Sequence, residues 1–81
     1  MLPVKLSLLA PGQTATIGAI EAEGPLFARM AALGLRIGRT ISVIRRARMN
    51  GPIHIRIGTT DLILRLSEAA KVLVSATAGV V

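Results

Sequence analysis

Arg29-Met30-Ala31-Ala32-Leu33-Gly34-Leu35-Arg36-Ile37-Gly38 decides how this chain folds, because a helical pattern ends in it and a strand pattern begins. Ahead of it, Pro25 suits the first turn of a helix, where its missing N–H costs nothing. Leu26, Met30 and Leu33 then recur at spacings of four and three, which is one helical face. Gly34 follows as a helix-ending residue should, since glycine alone takes the left-handed C′ conformation without a Cβ clash. Leu35 stands where a Schellman cap places an apolar residue that packs back on the last turn. Gly38 marks a second turn, and the β-branched run Thr40-Ile41-Ser42-Val43-Ile44 starts just after it. A helix of about ten residues cannot stand alone in water, so it must pack on a sheet.

Downstream the chain has the pattern of strands. Arg39–Arg46 is β-branched, and Arg48-Met49-Asn50-Gly51 contains Asn-Gly, a strong hairpin signal that puts positive φ at Asn50 and Gly51. Pro52 starts the next strand at an edge or just past its first hydrogen bond. Ile53, Ile55 and Ile57 alternate with His54 and Arg56, so a period of two turns the isoleucines inward and the polar residues outward. Gly58-Thr59-Thr60 is a turn. Leu62, Leu64 and Leu66 then alternate with Asp61, Ile63 and Arg65 as a further strand. Ser67 is placed to cap a helical turn over 68–71, with Glu68 near its positive end, and Val72-Leu73-Val74 is the last strand. Upstream, Val4, Leu6 and Leu8 alternate as an edge strand, Pro11-Gly12 is a turn, and Gln13–Ile20 is a strand weakened by Gly18. The expected fold is mainly β: a small, highly curved five-stranded barrel with one short helix between its second and third strands. Closure would protect its edges, and Ile53, Ile55, Ile57, Leu62, Leu64, Val72 and Val74 would fill it.

The 81 residues make one domain, 1–81, with no linker-like stretch inside it. A core of this size supplies roughly 3–5 kcal/mol, which leaves room for a homo-oligomer. The absence of Cys excludes disulfides and thiolate metal sites. Phe27 is the only aromatic residue, so the core must be aliphatic, with Phe27 expected inside it. Ten Lys+Arg against four Asp+Glu give a net charge of +6, which favours nucleic acid, a lipid headgroup surface or an acidic protein face as partner. Leu6–Ala10 is too short for the core of a signal peptide, and no apolar run approaches the roughly 18 residues of a membrane span. A cytoplasmic protein is expected.

Catalytic constellations are missing. The serines are scattered, and His54 is the sole imidazole, opposite no second member of a triad. No Gly-rich phosphate loop with its Lys is present. Glu21 and Glu23 lie two apart in a loop. No enzyme and no cofactor are expected. A protein site for Fe²⁺ or Zn²⁺ wants three or four His, Asp, Glu or Cys ligands. Only Asp61 could face His54 across the hairpin, and the positive charge opposes a cation. His54 and Asp61 are therefore weak metal candidates, and no metal site is expected.

Taken in order, Arg29-Met30-x-x-Leu33-Gly34-Leu35-x-x-Gly38-x-x-Ile41-x-Val43, Gly51-Pro52, Ile55-x-Ile57 and Glu68-Ala69-x-x-Val72-x-Val74 resemble the FeoA family over about residues 5–75. The resemblance implies an SH3-like barrel and a cytoplasmic accessory protein of ferrous iron uptake. That protein would dock as an adaptor or regulator on the membrane ferrous iron permease, ferrous iron transport protein B. It also implies kinship with the SH3-like C-terminal domain of metal-dependent repressors of the diphtheria-toxin-repressor type. With no helix-turn-helix ahead of it, the repressor architecture itself is not expected. Arg45-Arg46-x-Arg48 lies outside the residues that carry the resemblance. A hairpin closed near Asn50-Gly51 would gather Arg45, Arg46, Arg48 and Arg56 at one end of the barrel. There they would face an acidic surface of the permease's cytoplasmic domain, or the anionic inner membrane leaflet beside it. Arg29 and the Leu35-Arg36 corner form a competing dock. The alternative is a basic SH3-like nucleic-acid-binding module. Single strands want stacking aromatics beside the basic groove, and one ring makes nucleic acid the less favoured partner, although duplex backbone binding needs only charge.

Overall fold

A computed structural model of the chain describes residues 3–76. Six strands run Val4–Lys5 (β1), Thr14–Ile20 (β2), Thr40–Arg46 (β3), Ile53–Ile57 (β4), Thr60–Leu64 (β5) and Val72–Ala76 (β6). Helix α1, Gly24–Ala32, joins β2 to β3; a short helix α2, Leu66–Ala69, joins β5 to β6; and a 3-10 turn, Leu6–Leu8, follows β1. All pairs are antiparallel, in the order β1-β6-β2-β3-β4-β5. The barrel thus carries six strands where five were expected, and the expected N-terminal edge strand shrinks to the two-residue β1. Leu6 and Leu8 do not continue it: the 3-10 turn buries Leu6 and leaves Leu8 in solvent. Among the described residues no ladder joins β1 to β5. The continuations of these edge strands, the 3-10 turn and α2, pack on each other at the seam.

The joint after α1 folds as its sequence predicts. The Leu35 N–H donates to the Met30 carbonyl at 3.0 Å and the Gly34 N–H to that of Ala31 at 3.0 Å, with Gly34 at φ +101°. These are the two bonds of a Schellman motif. Met30 and Leu35 both end in the core. Gly38, at φ +93°, then follows Ile37 in a turn closed by the Arg39 N–H on the Arg36 carbonyl, 3.1 Å. Bonds from Gly38 N–H to Ile17 O (2.8 Å) and from Ile17 N–H to Arg39 O (2.9 Å) lay the chain beside β2 before β3 begins.

Every residue expected to fill the barrel is buried, joined by Leu6, Leu9, Ala15, Ile17, Ile41, Val43 and Ala69. Two irregularities set which side chains face out. In β2 the register slips between Ile17 and Ala19, so Gly18 is a bulge in the strand it was expected to weaken. In β3, Val43 pairs with Ile55, but Arg45 pairs with His54 and Arg46 with Ile53, leaving Ile44 unpaired. An extra residue turns everything after it to the opposite face. Arg46 therefore shares the inward side with Ile53.

Three local expectations are corrected. The β3–β4 turn centres on Met49 (φ 58°) and Asn50 (φ 61°), closed by the Gly51 N–H on the Arg48 carbonyl at 3.1 Å, one residue earlier than Asn50-Gly51. Gly51 is needed for space instead, since a Cβ there would lie 2.7 Å from that of Ala47. Leu66 opens α2 rather than extending β5, because the chain turns as soon as Leu64 has paired with Ile53. Arg65, not Ser67, is the N-cap residue, and its N–H donates to Glu68 Oε1 at 3.0 Å.

Candidate partner-binding surface

The basic residues expected at one end of the barrel fall into three settings. Arg45 and Arg48 are exposed, at the end of β3 and on the turn after it, with no ion-pair partner among the described residues. Arg46 is turned inward by the bulge. Its Nη1 donates to the carbonyl oxygens of Leu9, at 2.7 Å, and Ser7, so it holds the N-terminal segment rather than standing in a solvated cluster. Arg56 lies at the other end of β4, directly opposite Asp61 on β5. The Arg56 Nε donates to Asp61 Oδ1 at 2.6 Å, and Nη2 reaches Oδ2 at 3.2 Å.

His54 joins that pair, its Nε2 lying 2.9 Å from Asp61 Oδ2. The Arg56 hydrogen bond, then that of His54, lowers the Asp61 carboxyl to about 2. The same contact raises the Arg56 guanidinium further. The two weak metal candidates do meet, but Asp61 already accepts from Arg56, and no group of three or more His, Cys, Asp or Glu assembles among the described residues. Arg56, Gly58, Thr59 and Asp61 line only a shallow, open hollow beside this pair.

The competing dock also needs revision. Leu35 is a core residue, 1% exposed, because the Schellman motif points it back at Met30, so it offers nothing to a partner. Arg29 forms an ion pair with Glu68 that ties α1 to α2. The Glu68 carboxyl is lowered, first by the Arg65 backbone N–H and also by Arg29, against the opposing effect of burial. Arg36 is exposed, and its neighbour Ile37 is 69% exposed on the turn that Gly38 closes. Phe27, expected inside, is 45% exposed. The signal was present in the sequence: Phe27 sits one step off the Leu26, Met30, Leu33 stripe, and Ile37 precedes a turn glycine. The connection between β2 and β3 thus presents two large apolar side chains and a cation, Arg36, with no ion-pair partner among the described residues. Among the described residues no helix is long and apolar enough to cross a membrane.

Comparison with known proteins identifies the family of the chain. A domain of the Fe(2+) transport protein A/Fe(2+) transporter FeoB fusion protein of Porphyromonas gingivalis is 33% identical over 69 residues, 85% of this chain; the chain spans only 8% of that protein's length. The solution structure of iron(II) transport protein A from Clostridium thermocellum is 33% identical, with a TM-score of 0.89 over 94% of this chain and 47% of that one. FeoA of Stenotrophomonas maltophilia, solved with zinc and described as a procaryotic SH3 domain protein, has the same fold at 24% identity and a TM-score of 0.76, covering 93% and 91% of the two chains. The FeoA domain model matches residues 4–76, and the chain therefore belongs to the FeoA family, which is associated with ferrous iron transport.

Proposed function

We propose that this protein is a cytoplasmic, non-catalytic accessory component of ferrous iron uptake that docks on FeoB, the membrane ferrous iron permease. One observation carries the reading: in the Porphyromonas gingivalis relative a homologous domain and the transporter share a single chain. Covalent linkage holds a weak pair together at an effective concentration of the order of millimolar. The contact itself must come from the surface of the domain. Interface energy concentrates in a few aromatic, apolar and Arg anchors surrounded by polar residues. Phe27, Arg36 and Ile37 on the connection between β2 and β3 fit that description. Arg29 is less available, since it is held by Glu68.

The test is co-purification of detergent-solubilised FeoB with the tagged protein, together with ferrous uptake by cells that lack the chain and are complemented with variants. Ile37→Asp should weaken association by about 30-fold, as expected of a central hot spot, and lower uptake while the thermal melt stays unchanged. Association at the wild-type level would move the dock elsewhere on the domain. Failure of the wild-type protein to co-purify with FeoB or to restore uptake would refute the accessory role itself.

A further inference from the structure

We infer that the β3–β4 hairpin end is a docking surface for an anionic lipid membrane, with Met49 entering the interface and Arg45 and Arg48 meeting headgroup phosphates. Met49 is 96% exposed and sits at φ 58°, a region that bulky L-residues avoid. Asn or Gly would occupy that position with less strain, and the Met49 side chain gains no burial within the fold that would offset it. An exposed apolar residue held in a disfavoured conformation points to a use outside the fold.

The surroundings of Met49 have the composition of an interfacial surface. Ala47 and Pro52 flank the turn and are exposed, as are Arg45 and Arg48. Leu8, 71% exposed, belongs to the same end, because the carbonyls on either side of it, of Ser7 and Leu9, accept from Arg46 at the base of the hairpin. Of the chain's four carboxylates, Asp61 faces Arg56 at the far end of β4 and Glu68 is paired with Arg29. Glu21 and Glu23 follow the end of β2, which lies beyond the start of β3, since Thr16 pairs with Thr40. Exposed apolar residues set among unpaired cations suit a headgroup layer, which solvates the cations and admits the apolar tip. A convex tip needs a shaped socket in a protein partner, whereas a fluid interface receives it as it is. Nucleic acid fits less well, because this end has no ring for a base to stack on and an apolar tip adds nothing to backbone binding. The inference stands apart from docking on FeoB and is tested without it.

The chain has no Cys, so a single Met49→Cys carrying an environment-sensitive dye reports on the tip, and Glu23→Cys carries the same dye at the other end. Emission at position 49 should shift to the blue on mixed phosphatidylglycerol and phosphatidylcholine vesicles, fade with added salt, and stay unshifted on phosphatidylcholine alone. Position 23 should not respond. In sedimentation, Arg45→Gln with Arg48→Gln should bind about 25-fold more weakly, since each Arg near an anionic leaflet strengthens partitioning roughly fivefold. Met49→Asn should also bind more weakly while its melt is no lower than that of wild type. A silent dye at 49, an equal shift at 23, or variants that sediment like wild type would overturn the inference. So would a short DNA duplex, in place of vesicles, being the anion bound through Arg45 and Arg48.

Discussion

The Nη1 of Arg46, at the end of β3, lies 2.7 Å from the carbonyl oxygen of Leu9, beyond the first turn of the chain. This bond and its companion to Ser7 hold the N-terminal segment against a sheet whose outermost strands share no ladder among the described residues. Hydrogen bonds from a charged donor to partly buried carbonyls are worth about 1.5–3 kcal/mol together with the cost of leaving those acceptors unmet. Arg46→Ala should therefore lower stability in urea by about 2 kcal/mol, whereas Arg45→Ala, one residue away but in solvent, should stay within about 0.5 kcal/mol of wild type. Equal effects would mean that the inward turn of Arg46 contributes nothing to stability.

Gly34→Val should destabilise the fold by more than the roughly 1 kcal/mol of a propensity change. The penalty comes from the backbone alone. Gly34 has φ +101° and a Cβ there would meet nothing within 4 Å, so no clash enters. Gly34→Asn should lose less than Gly34→Val, because Asn tolerates positive φ better than a β-branched residue does. Thermal melts of the pair decide it, and a reversed order would contradict the cap geometry.

The Asp61 carboxyl titrates lower in the folded chain than in the unfolded one, so its contribution to stability is complete above its unfolded value near 4. It is lost as pH falls through the folded value of about 2. Glu68 is shifted the same way and acts in the same direction. Stability followed from pH 5 to pH 2 should fall, and Asp61→Asn should flatten part of that slope. The Asp61 pair is exposed, so the effect should be small and shrink further in high salt. A slope identical in Asp61→Asn would show that the pair with Arg56 does not form in solution.

Met49→Asn should raise stability by about 0.5 kcal/mol, since a bulky L-residue in the left-handed region costs about 1–2 kcal/mol and Asn loses less there. A shallow urea titration at constant slope measures it. A loss of stability would mean that Met49 packs on the domain instead of standing clear of it.

Local chemistry was legible in the sequence and long-range geometry was not. The Schellman cap at Gly34, the inward isoleucines 53, 55 and 57, and the Leu35 anchor follow from neighbours within a few residues. The same cap that puts Leu35 in place also removes it from the expected docking surface, a conflict the sequence already contains. The direction of Arg46 depends on the unpaired Ile44, and a β-bulge appears only when two strands are laid side by side. The same slip accompanies the shift of the turn onto Met49-Asn50. Arg29 and Glu68 meet because α1 and α2 converge across 39 residues of chain, and no spacing rule announces that. His54 and Asp61 were placed opposite each other by alternation alone, yet Arg56, two residues from His54, proved to be the stronger claimant on the carboxylate.

The antiparallel pairing of β1 with β6 sets Val4 directly opposite Val74. Chain entry and chain exit therefore stand side by side, within about 5.5 Å for residues paired in such a ladder. A domain with adjoining ends can be spliced before, after or within another polypeptide without disturbing its own register. Adjoining ends of this kind suit a barrel to splicing into a longer polypeptide, the arrangement in which a homologous domain occurs in the Porphyromonas gingivalis fusion protein.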